Sequence, residues 1–227
     1  MFEDKQYLHT RAERNDESVT TPMRDGAFDM SGEEKISAIE KHFSAIMHLL
    51  GLDLEDDSLR HTPRRVAKMY VNEIFSGLNP SNHPKMSVFE NKFKYGEMII
   101  ERDIEVHSTC EHHFLPIIGK AHIAYISSGK IIGLSKLNRI VEYYSKRPQI
   151  QERLTRQIVS DLQEALQTED VACIIDARHM CVILRGVQDT GSRMLTMEFG
   201  GKFRQPEVKR EFLDYLQISG NDKSCQE

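Results

Sequence analysis

The sequence lacks four features that would each have indicated a particular class of protein. No apolar run approaches the roughly 20 residues that a membrane span needs, and residues 1–24 are too polar for a signal peptide. The formal net charge of −5 excludes a generally basic nucleic-acid coat. Four irregularly spaced cysteines in 227 residues do not suggest a disulfide framework. We therefore expect a cytoplasmic protein with reduced thiols, no membrane contact and no nucleic-acid partner.

Hydrophobic periodicity divides the chain into an arm, helices and strands. Residues 1–30 are charged and aperiodic, which predicts a flexible arm. Ser31 and Glu34 form a capping-box pattern that opens a helix, and Gly51 is a natural stop for it. The predicted organisation is an arm, an N-terminal helical region, a catalytic domain and a polar tail, over residues 1–30, 31–95, 96–218 and 219–227.

The remaining elements alternate between helical and strand patterns. Thr62, as N-cap before Pro63, predicts a second helix that ends at Gly77. Two strands, a pair of helices and two or three further strands follow, and a last helix begins at Pro206. This order indicates an α+β fold with an antiparallel sheet. The predicted strands are Met98–His107, Ile117–Ser127, Val171–Asp176, His179–Arg185 and Met194–Phe199, and the predicted helical pair is Ser135 to about Lys146 and a stripe from Ile150 to Leu166.

The densest group of reactive side chains is a candidate metal site. Cys110 and His113 are three residues apart, so one turn can direct both at one ion, and Cys181 supplies a second thiol far downstream. A Cys₂His set leaves one coordination position for water, which is typical of catalytic rather than structural zinc. Zinc lowers the pKa of such a water to about 7. Cys173, in an apolar strand, is expected in the core, and Cys225, in the polar tail, in neither role.

Two alternatives compete with a catalytic zinc site. Cys181 could be a buried core thiol, because free cysteine is among the most buried residue types. The site could also be a structural Cys₂His₂ centre with His112 or His179 as its fourth ligand. If neither histidine is a ligand, both lie beside the metal and are suited to proton transfer near neutral pH. They could equally be supporting or surface histidines.

A second candidate site is basic and lies where a strand gives way to a helix. Ser135 is a plausible N-cap, so free backbone N–H groups would face an anion there. Lys136 and Arg139 share one helix face and add positive charge, and Arg185 could join them. Basic residues at the start of a helix are, however, more often a solvated face than a phosphate site.

Two residues at the start of the next predicted helix could read a purine base. Gln151 and Glu152 lie there, and a carboxylate is the complement of the N1–H and 2-amino edge of guanine. A first-turn glutamate also interacts favourably with the helix dipole, which is its commoner role.

Taken together, six motifs resemble GTP cyclohydrolase I, the zinc-dependent first type. The resemblance covers most of the chain, from Ile36 to Gly201. After Gln188 it weakens, because a strand that is small and Thr/Ser-rich in the family reads Met-Leu-Thr-Met here. The motifs, in chain order, are C-E-H-H-F-L-P, G-K-A-H-I-A-Y-I, G-L-S-K-L-N-R-I-V, R-P-Q-I-Q-E-R-L-T, D-A-R-H-M-C and R-G-V-Q.

The resemblance implies a role for each candidate residue. Zn²⁺ would be bound by Cys110, His113 and Cys181, with His112 and His179 catalytic. GTP would be the substrate, its triphosphate contacted by Ser135, Lys136, Arg139 and Arg185, and its ribose and guanine approached by Gln151 and Glu152. The implied reaction opens the imidazole ring of guanine, releases formate and closes the product to 7,8-dihydroneopterin triphosphate. The motifs do not assign the two histidines to individual proton transfers.

The resemblance also implies a fold and an assembly. The tunnelling fold is a four-stranded antiparallel sheet with an antiparallel helical pair inserted between its middle strands, preceded here by an N-terminal helical region. Its sheets join edge to edge into a pentameric barrel, and two pentamers stack into a homodecamer. Sites in the family lie between subunits, so Arg64, Arg65 and Lys68 could reach a neighbour's phosphates.

Two rival functions differ in what they require. A nitrile-reducing or tetrahydropterin-synthase-like relative needs a nicotinamide partner or a three-histidine zinc set, and the sequence has neither pattern. A zinc-stapled nucleotide-binding or regulatory module would bind GTP without turnover.

Overall fold

The computed structural model describes residues 20–220, with the backbone alone at residues 218–220. Most of the predicted arm, part of the predicted tail and Cys225 therefore lie outside the described residues. Within the described chain the architecture is mixed α+β, as predicted. No helix in residues 20–220 combines the length and the apolar composition that a membrane span requires.

The first helix, α1, spans Gly32–Leu49 and begins as the sequence predicts. The Glu34 backbone N–H donates to Ser31 Oγ at 3.3 Å, and the Ser31 backbone N–H donates to the Glu34 carboxylate at 2.7 Å. Both halves of the capping box are thus present. The helix ends before Gly51, whose φ of +83° suits a residue without a Cβ.

The second helix, α2, spans Thr62–Met69 and differs from the prediction at both ends. His61, not Thr62, occupies the N-cap position, so the predicted Thr62 cap is wrong by one residue. The helix does not continue to Gly77 in α form, because Tyr70–Ile74 is a π-helical turn. The Phe75 backbone N–H donates to Tyr70 O, five residues back, at 3.1 Å. Short 3₁₀ turns follow at Ser76–Leu78 and Pro80–Asn82.

The main sheet is built from four antiparallel strands and one short parallel neighbour. Its order is β5-β2-β3-β6-β7, and β5 pairs in parallel only with Thr109 and Cys110 at the end of β2. The short strands β1 and β4 form a separate antiparallel pair that the sequence analysis missed. The strands are β1 (Val88–Glu90), β2 (Met98–Cys110), β3 (Pro116–Ile126), β4 (Lys130–Ile132), β5 (Pro148–Gln149), β6 (Val171–His179) and β7 (Met194–Phe199).

Two helices lie between β3 and β6 in the chain and cover one face of the sheet. They are α3 (Leu134–Ser145) and α4 (Gln151–Leu166), the helical pair that the sequence predicts. Their apolar stripes pack on alternate strand residues, which is the period-2 pattern of a sheet with one buried face. The main core includes Ile117, Ile123, Leu137, Ile140, Tyr144, Leu154, Ile158, Leu162 and Cys173.

The opposite face of the sheet is covered only in part. The C-terminal helix α6 (Pro206–Gly220) packs over one end of this face, where Phe203 and Phe212 meet edge to face at 5.9 Å. Leu195 and Met197 on β7 remain exposed. Within residues 20–220 no strand pairs with the outer edge of β7, or with the outer edge of β2 before Thr109.

Two predicted details near the candidate sites are wrong. The strand predicted at His179–Arg185 does not form: β6 ends at His179, and Met180–Ile183 is a single helical turn, α5, which carries Cys181. Ser135 is not the N-cap of α3, because Gly133 holds that position and Ser135 lies inside the helix. In the first case the predicted type of element is wrong, and in the second the predicted start of the helix is displaced by two residues.

Candidate functional site

The first half of the candidate metal site is a tight turn between β2 and β3, residues 110–115, called here the metal turn. The Phe114 backbone N–H donates to Cys110 O, and the Cys110 N–H donates to Leu115 O, each at 2.8 Å. Phe114 has a φ of +54°, which is uncommon for a residue with a side chain. These bonds fold the turn so that His113 lies back beside Cys110.

The second half of the site is α5, at the end of the neighbouring strand β6. It brings Cys181 to the metal turn, and the ligand atoms of Cys110, His113 and Cys181 lie within 4.8 Å of one another. Cys110 is 5% exposed, Cys181 is half-buried and His113 is exposed. Two sulfurs and an imidazole suit zinc, and an exposed His113 leaves one side open to water. The donor set therefore fits a catalytic zinc ion.

Two neighbouring thiols in a partly buried place are unfavourable as a charged pair. Burial raises the pKa of the Cys181 thiol, and the adjacent Cys110 raises it further. The nearby Arg185 guanidinium acts weakly in the opposite direction. A bound divalent cation overcomes the effects of burial and of the neighbouring thiol, because it stabilises thiolates directly. The arrangement thus favours metal binding over free thiolates.

His179 is held by a buried glutamine at the start of α4. Its Nε2 lies 2.8 Å from Gln151 Oε1, and the Gln151 side chain is anchored by its amide nitrogen, which donates to Ile175 O at 3.0 Å and Met194 O at 2.9 Å. Burial lowers the pKa of His179, and the Glu152 carboxylate partly offsets this. Glu152 itself is exposed. The buried Gln151 side chain therefore orients the His179 ring, and Glu152 lies near it.

The other candidate side chains near the metal turn are more open. His112 Nδ1 lies 3.8 Å from Cys110 Sγ, and the His112 ring is edge to face with His113 at 6.4 Å. Arg185 Nη1 lies 2.8 Å from His113 Nε2. His112 and Arg185 are both exposed. The structure thus brings eight residues that the sequence predicts into one area: Cys110, His112, His113, Gln151, Glu152, His179, Cys181 and Arg185.

Three predicted residues lie elsewhere in the chain, in the first turns of α3. Ser135, Lys136 and Arg139, called here the basic helix start, are exposed or half-buried. Asn138, in the same turns, donates to the Glu101 carboxylate near the beginning of β2. The remainder of β2, from Glu101 to Cys110, separates this place from the metal turn by about 30 Å. Within one chain the two groups therefore lie toward opposite ends of β2.

Two of the basic residues of α2, Arg64 and Arg65, are engaged within the helical region. Arg64 Nη1 donates to the Glu40 carboxylate at 2.9 Å and its Nη2 to Glu33 at 3.3 Å, which ties α2 to α1. Arg65 donates to Thr62 Oγ1 at 2.7 Å. No contact in residues 20–220 connects these arginines with the metal turn, and their predicted role at a neighbouring copy stays a prediction.

Two groups that support the metal turn were not predicted from the sequence. The Phe114 ring packs edge to face on Phe75 at 5.3 Å, which joins the turn to the N-terminal helical region. Arg153 forms an ion pair with Glu111, which lies between Cys110 and His112. The motif R-P-Q-I-Q-E-R contains the signal for the second group, since it places several polar residues on a helix that must be largely buried.

Comparison with known proteins gives a consistent result. The sequence pattern of the family described as GTP cyclohydrolase I matches residues 39–217. A protein named GTP cyclohydrolase 1 from Flavobacterium johnsoniae is 64% identical over 201 residues, which cover 88% of this chain and 90% of the relative. A protein of the same name from Aeromonas hydrophila is 54% identical over 210 residues, covering 92% and 95%. One from an Escherichia coli strain is 52% identical over 196 residues, covering 86% and 88%.

Proposed function

The chain belongs to the GTP cyclohydrolase I family and is an enzyme of that type, and we propose that its reaction takes place at a zinc ion held by Cys110, His113 and Cys181. The observation that carries the proposal is the convergence of these three ligand atoms from two separate strand ends. The substrate is GTP, and the products are formate and 7,8-dihydroneopterin triphosphate. The reduced thiols that this requires agree with a cytoplasmic location.

The zinc ion, when bound, supplies a Lewis acid that activates water for hydrolysis at C8 of guanine. The protein's own residues hold the substrate and move the protons. Glu152 accepts the N1–H and 2-amino hydrogens of guanine, which fixes the ring relative to the metal turn. Gln151, which is assigned near the ribose, is buried and holds the catalytic imidazole of His179 in place through its Oε1.

The hydrogen bonds of Gln151 assign the tautomer of His179. Because the Gln151 amide nitrogen donates to two strand carbonyls, its Oε1 must be the atom that faces His179. His179 Nε2 therefore carries a hydrogen and donates it to Gln151, and Nδ1 holds the lone pair. We assign Nδ1 as the atom that takes up a proton and delivers it to N7 as the ring opens. His112 is assigned to the proton transfers of ribose opening and rearrangement.

A complete site requires a second copy of the chain. Ser135, Lys136 and Arg139, to which the triphosphate contacts are assigned, lie on the helix start that packs near the beginning of β2, whereas Arg185 lies at the metal turn, at the other end of that strand. We therefore assign the basic helix start of one copy to the site of another. Guanidinium, ammonium and the amides of a helix start suit a triphosphate.

The sheet supports an assembly of this kind. The outer edges of β2 and β7 lack partners among residues 20–220, and unpaired edges promote pairing with another chain. Pairing the β7 edge of one copy with the β2 edge of the next gives a heterologous interface, the kind from which rings of subunits are built. We propose the tunnelling fold, with rings of five that stack into a decamer.

The function is tested by incubating metal-replete protein with GTP while following formate release and the fluorescence of oxidised pterin. A chelator-stripped sample is the control. Zinc-dependent appearance of both products is expected. Tight GTP binding without either product would favour a regulatory nucleotide-binding module instead. Formate without a pterin would mean that ring opening occurs and that the later rearrangement does not.

A further inference from the structure

A chain of buried polar side chains runs through the apolar core behind the metal turn. Gln157 Oε1 accepts from Gln149 Nε2 at 2.8 Å, and Gln149 Oε1 accepts from Arg153 Nε at 3.1 Å. The Arg153 guanidinium then pairs with Glu111. Gln149 is fully buried, Gln157 is 3% exposed and Arg153 is 7% exposed. Nothing in the proposed reaction uses Gln149, Arg153 or Gln157.

Burial of these groups is costly unless each one is satisfied. An arginine removed from water needs both a counter-charge and hydrogen-bond acceptors, and Arg153 has both. Gln149 is also fully engaged, since its Nε2 donates to Tyr144 O at 2.9 Å as well as to Gln157. Removal of one member therefore leaves its neighbours with unpaired polar atoms in the core. A fully satisfied network of this kind holds one geometry.

The network reaches the metal turn at two points. The Glu111 backbone N–H donates to Gln149 O at 3.0 Å, and Cys110 is the register partner of Gln149 in the β2–β5 pair. The Glu111 side chain takes the ion pair with Arg153. Glu111, which lies between Cys110 and His112 in the sequence, is thus held both through its backbone N–H and through its carboxylate. These two contacts connect the polar network to the metal turn.

We propose that Arg153 is a positioning residue that holds Glu111, and through it sets Cys110 and His113 in the geometry that binds the metal. The proposal rests on the metal site of the proposed function. Among residues 20–220, the side-chain hydrogen bonds and the ion pair of Arg153 go to Gln149 and Glu111 and to none of the three proposed metal ligands. Its guanidinium bonds to the Gln149 side chain and to Glu111 at the same time, which an ammonium group on a flexible stem does less well.

The experiment measures zinc affinity rather than turnover. Metal-stripped wild-type chain and its Arg153→Met variant are titrated with Zn²⁺ against a chromogenic chelator, and both are loaded with Co²⁺ to record the visible d–d bands. Removal of a group that orients metal ligands typically lowers the metal affinity by about 10–100-fold. We expect a loss of zinc affinity in this range for Arg153→Met and a smaller loss for Arg153→Lys. The Co²⁺ bands of both variants should differ from those of the wild type.

Two controls separate positioning from general stability. Arg193→Met breaks another arginine–carboxylate pair, Arg193–Asp176 at 2.8 Å, on an exposed part of the sheet, and should leave zinc affinity unchanged. Glu111→Gln should weaken zinc binding, and the Glu111→Gln/Arg153→Met double variant should bind no worse than the weaker single variant. Additive losses would mean that Arg153 does not act through Glu111, which overturns the proposal.

The outcomes distinguish this proposal from the proposed function. Wild-type affinity and unchanged Co²⁺ bands in a folded Arg153→Met chain would overturn it, even if the melting temperature fell, because the role would then be structural only. A wild-type chain that binds no zinc would instead reject the metal site itself. Should Arg153→Met fail to fold, Arg153→Lys and Glu111→Gln decide the matter in the same titration.

Discussion

The metal turn and the basic helix start are the two chemically richest segments of the chain, and they are supported very differently. The metal turn is closed by two backbone hydrogen bonds of 2.8 Å and by buried side chains behind it. The basic helix start presents Ser135, Lys136 and Arg139 with little around them, and Gly133 caps its helix without a side-chain bond. One segment is preorganised by its own chain, and the other depends on what binds to it.

This difference agrees with the chemistry assigned to the two segments. Metal affinity depends on the positions of the donor atoms, so ligands that the protein already holds in place bind the ion more tightly. Cations that contact a triphosphate can adjust, since charge is less directional than coordination. It follows that substitutions at the metal turn should abolish the site, whereas substitutions at the basic helix start should weaken substrate binding and leave the metal in place.

The largest expected effect comes from removing a thiol at the metal site. Cys181→Ser should lose zinc and lower kcat/KM by at least about 10³-fold, because hydroxyl is a poor zinc ligand and activated water is lost. Metal content by atomic spectroscopy and formate release measure the two effects. Cys173→Ala, in the buried core of the sheet, is the matched control and should retain zinc. Retention of zinc by Cys181→Ser would remove Cys181 from the ligand set.

A catalytic histidine should be separable from the metal. His179→Ala is expected to reduce kcat by about 10²–10⁴-fold, the usual range for a lost proton-transfer group, while zinc content stays at the wild-type level. Formate release and bound zinc are measured on the same preparation. If formate release is unaffected, His179 has no part in ring opening.

The basic helix start should show a smaller effect of another kind. Arg139→Ala removes a charged hydrogen bond to phosphate and should raise the KM for GTP about 10–100-fold, with zinc content unchanged. Initial rates over a range of GTP concentrations give the two kinetic constants separately. A reduction in kcat at constant KM would contradict a role in substrate binding.

Mixed assemblies test whether the two segments serve one site from different copies. Cys181→Ser chains and Lys136→Ala/Arg139→Ala chains are co-expressed, so that random assembly produces some sites with both halves intact. At GTP concentrations near the wild-type KM, where the Lys136→Ala/Arg139→Ala chain is nearly inactive, such mixtures should regain about a quarter of wild-type activity per site, since half of the copies supply each intact half. Activity that never exceeds that of the separate variants would mean that each site lies within a single chain.

The smallest expected effect concerns the aromatic contact under the metal turn. Phe75→Leu removes the edge-to-face packing on Phe114 and should lower the free energy of unfolding by about 1 kcal/mol. Denaturant unfolding measures this loss. Zinc affinity should change by less than in Arg153→Met, because the ring contact lies at Phe114, beyond the ligands. A larger loss of affinity than in Arg153→Met would move the main support of the turn from the polar network to the aromatic contact.

Local sequence signals predicted the elements whose causes are local. The Ser31–Glu34 capping box needs only residues three apart, and it forms as expected. The prediction failed where neighbours in space decide the outcome: residues 180–183 prefer strand by composition but turn into helix at the end of β6. The three-residue strands β1 and β4 are too short to leave a periodic pattern, so they could not have been predicted.

The identity of the candidate residues could be predicted from the sequence, but the distance between the metal turn and the basic helix start could not. Cysteine and histidine clusters identify themselves in the sequence, as do Lys136 and Arg139. The distance between the clusters depends on which end of β2 the start of α3 packs against, and the Asn138–Glu101 contact fixes that only in the folded chain. The role of Arg153 likewise depends on burial, which no spacing rule reveals.

The π-helical turn at Tyr70–Ile74 determines the direction of the Phe75 side chain relative to the face of α2 that packs on α1. One residue more than an α-helix would use is accommodated before Phe75, and each residue of an α-helix advances the side-chain direction by about 100°. Deleting one residue from this turn would restore an uninterrupted α-helix and rotate the Phe75 ring away from Phe114. The extra residue therefore rotates the end of this helical segment relative to its beginning. As a result, α2 packs on α1 while Phe75, at the end of the segment, packs on the metal turn.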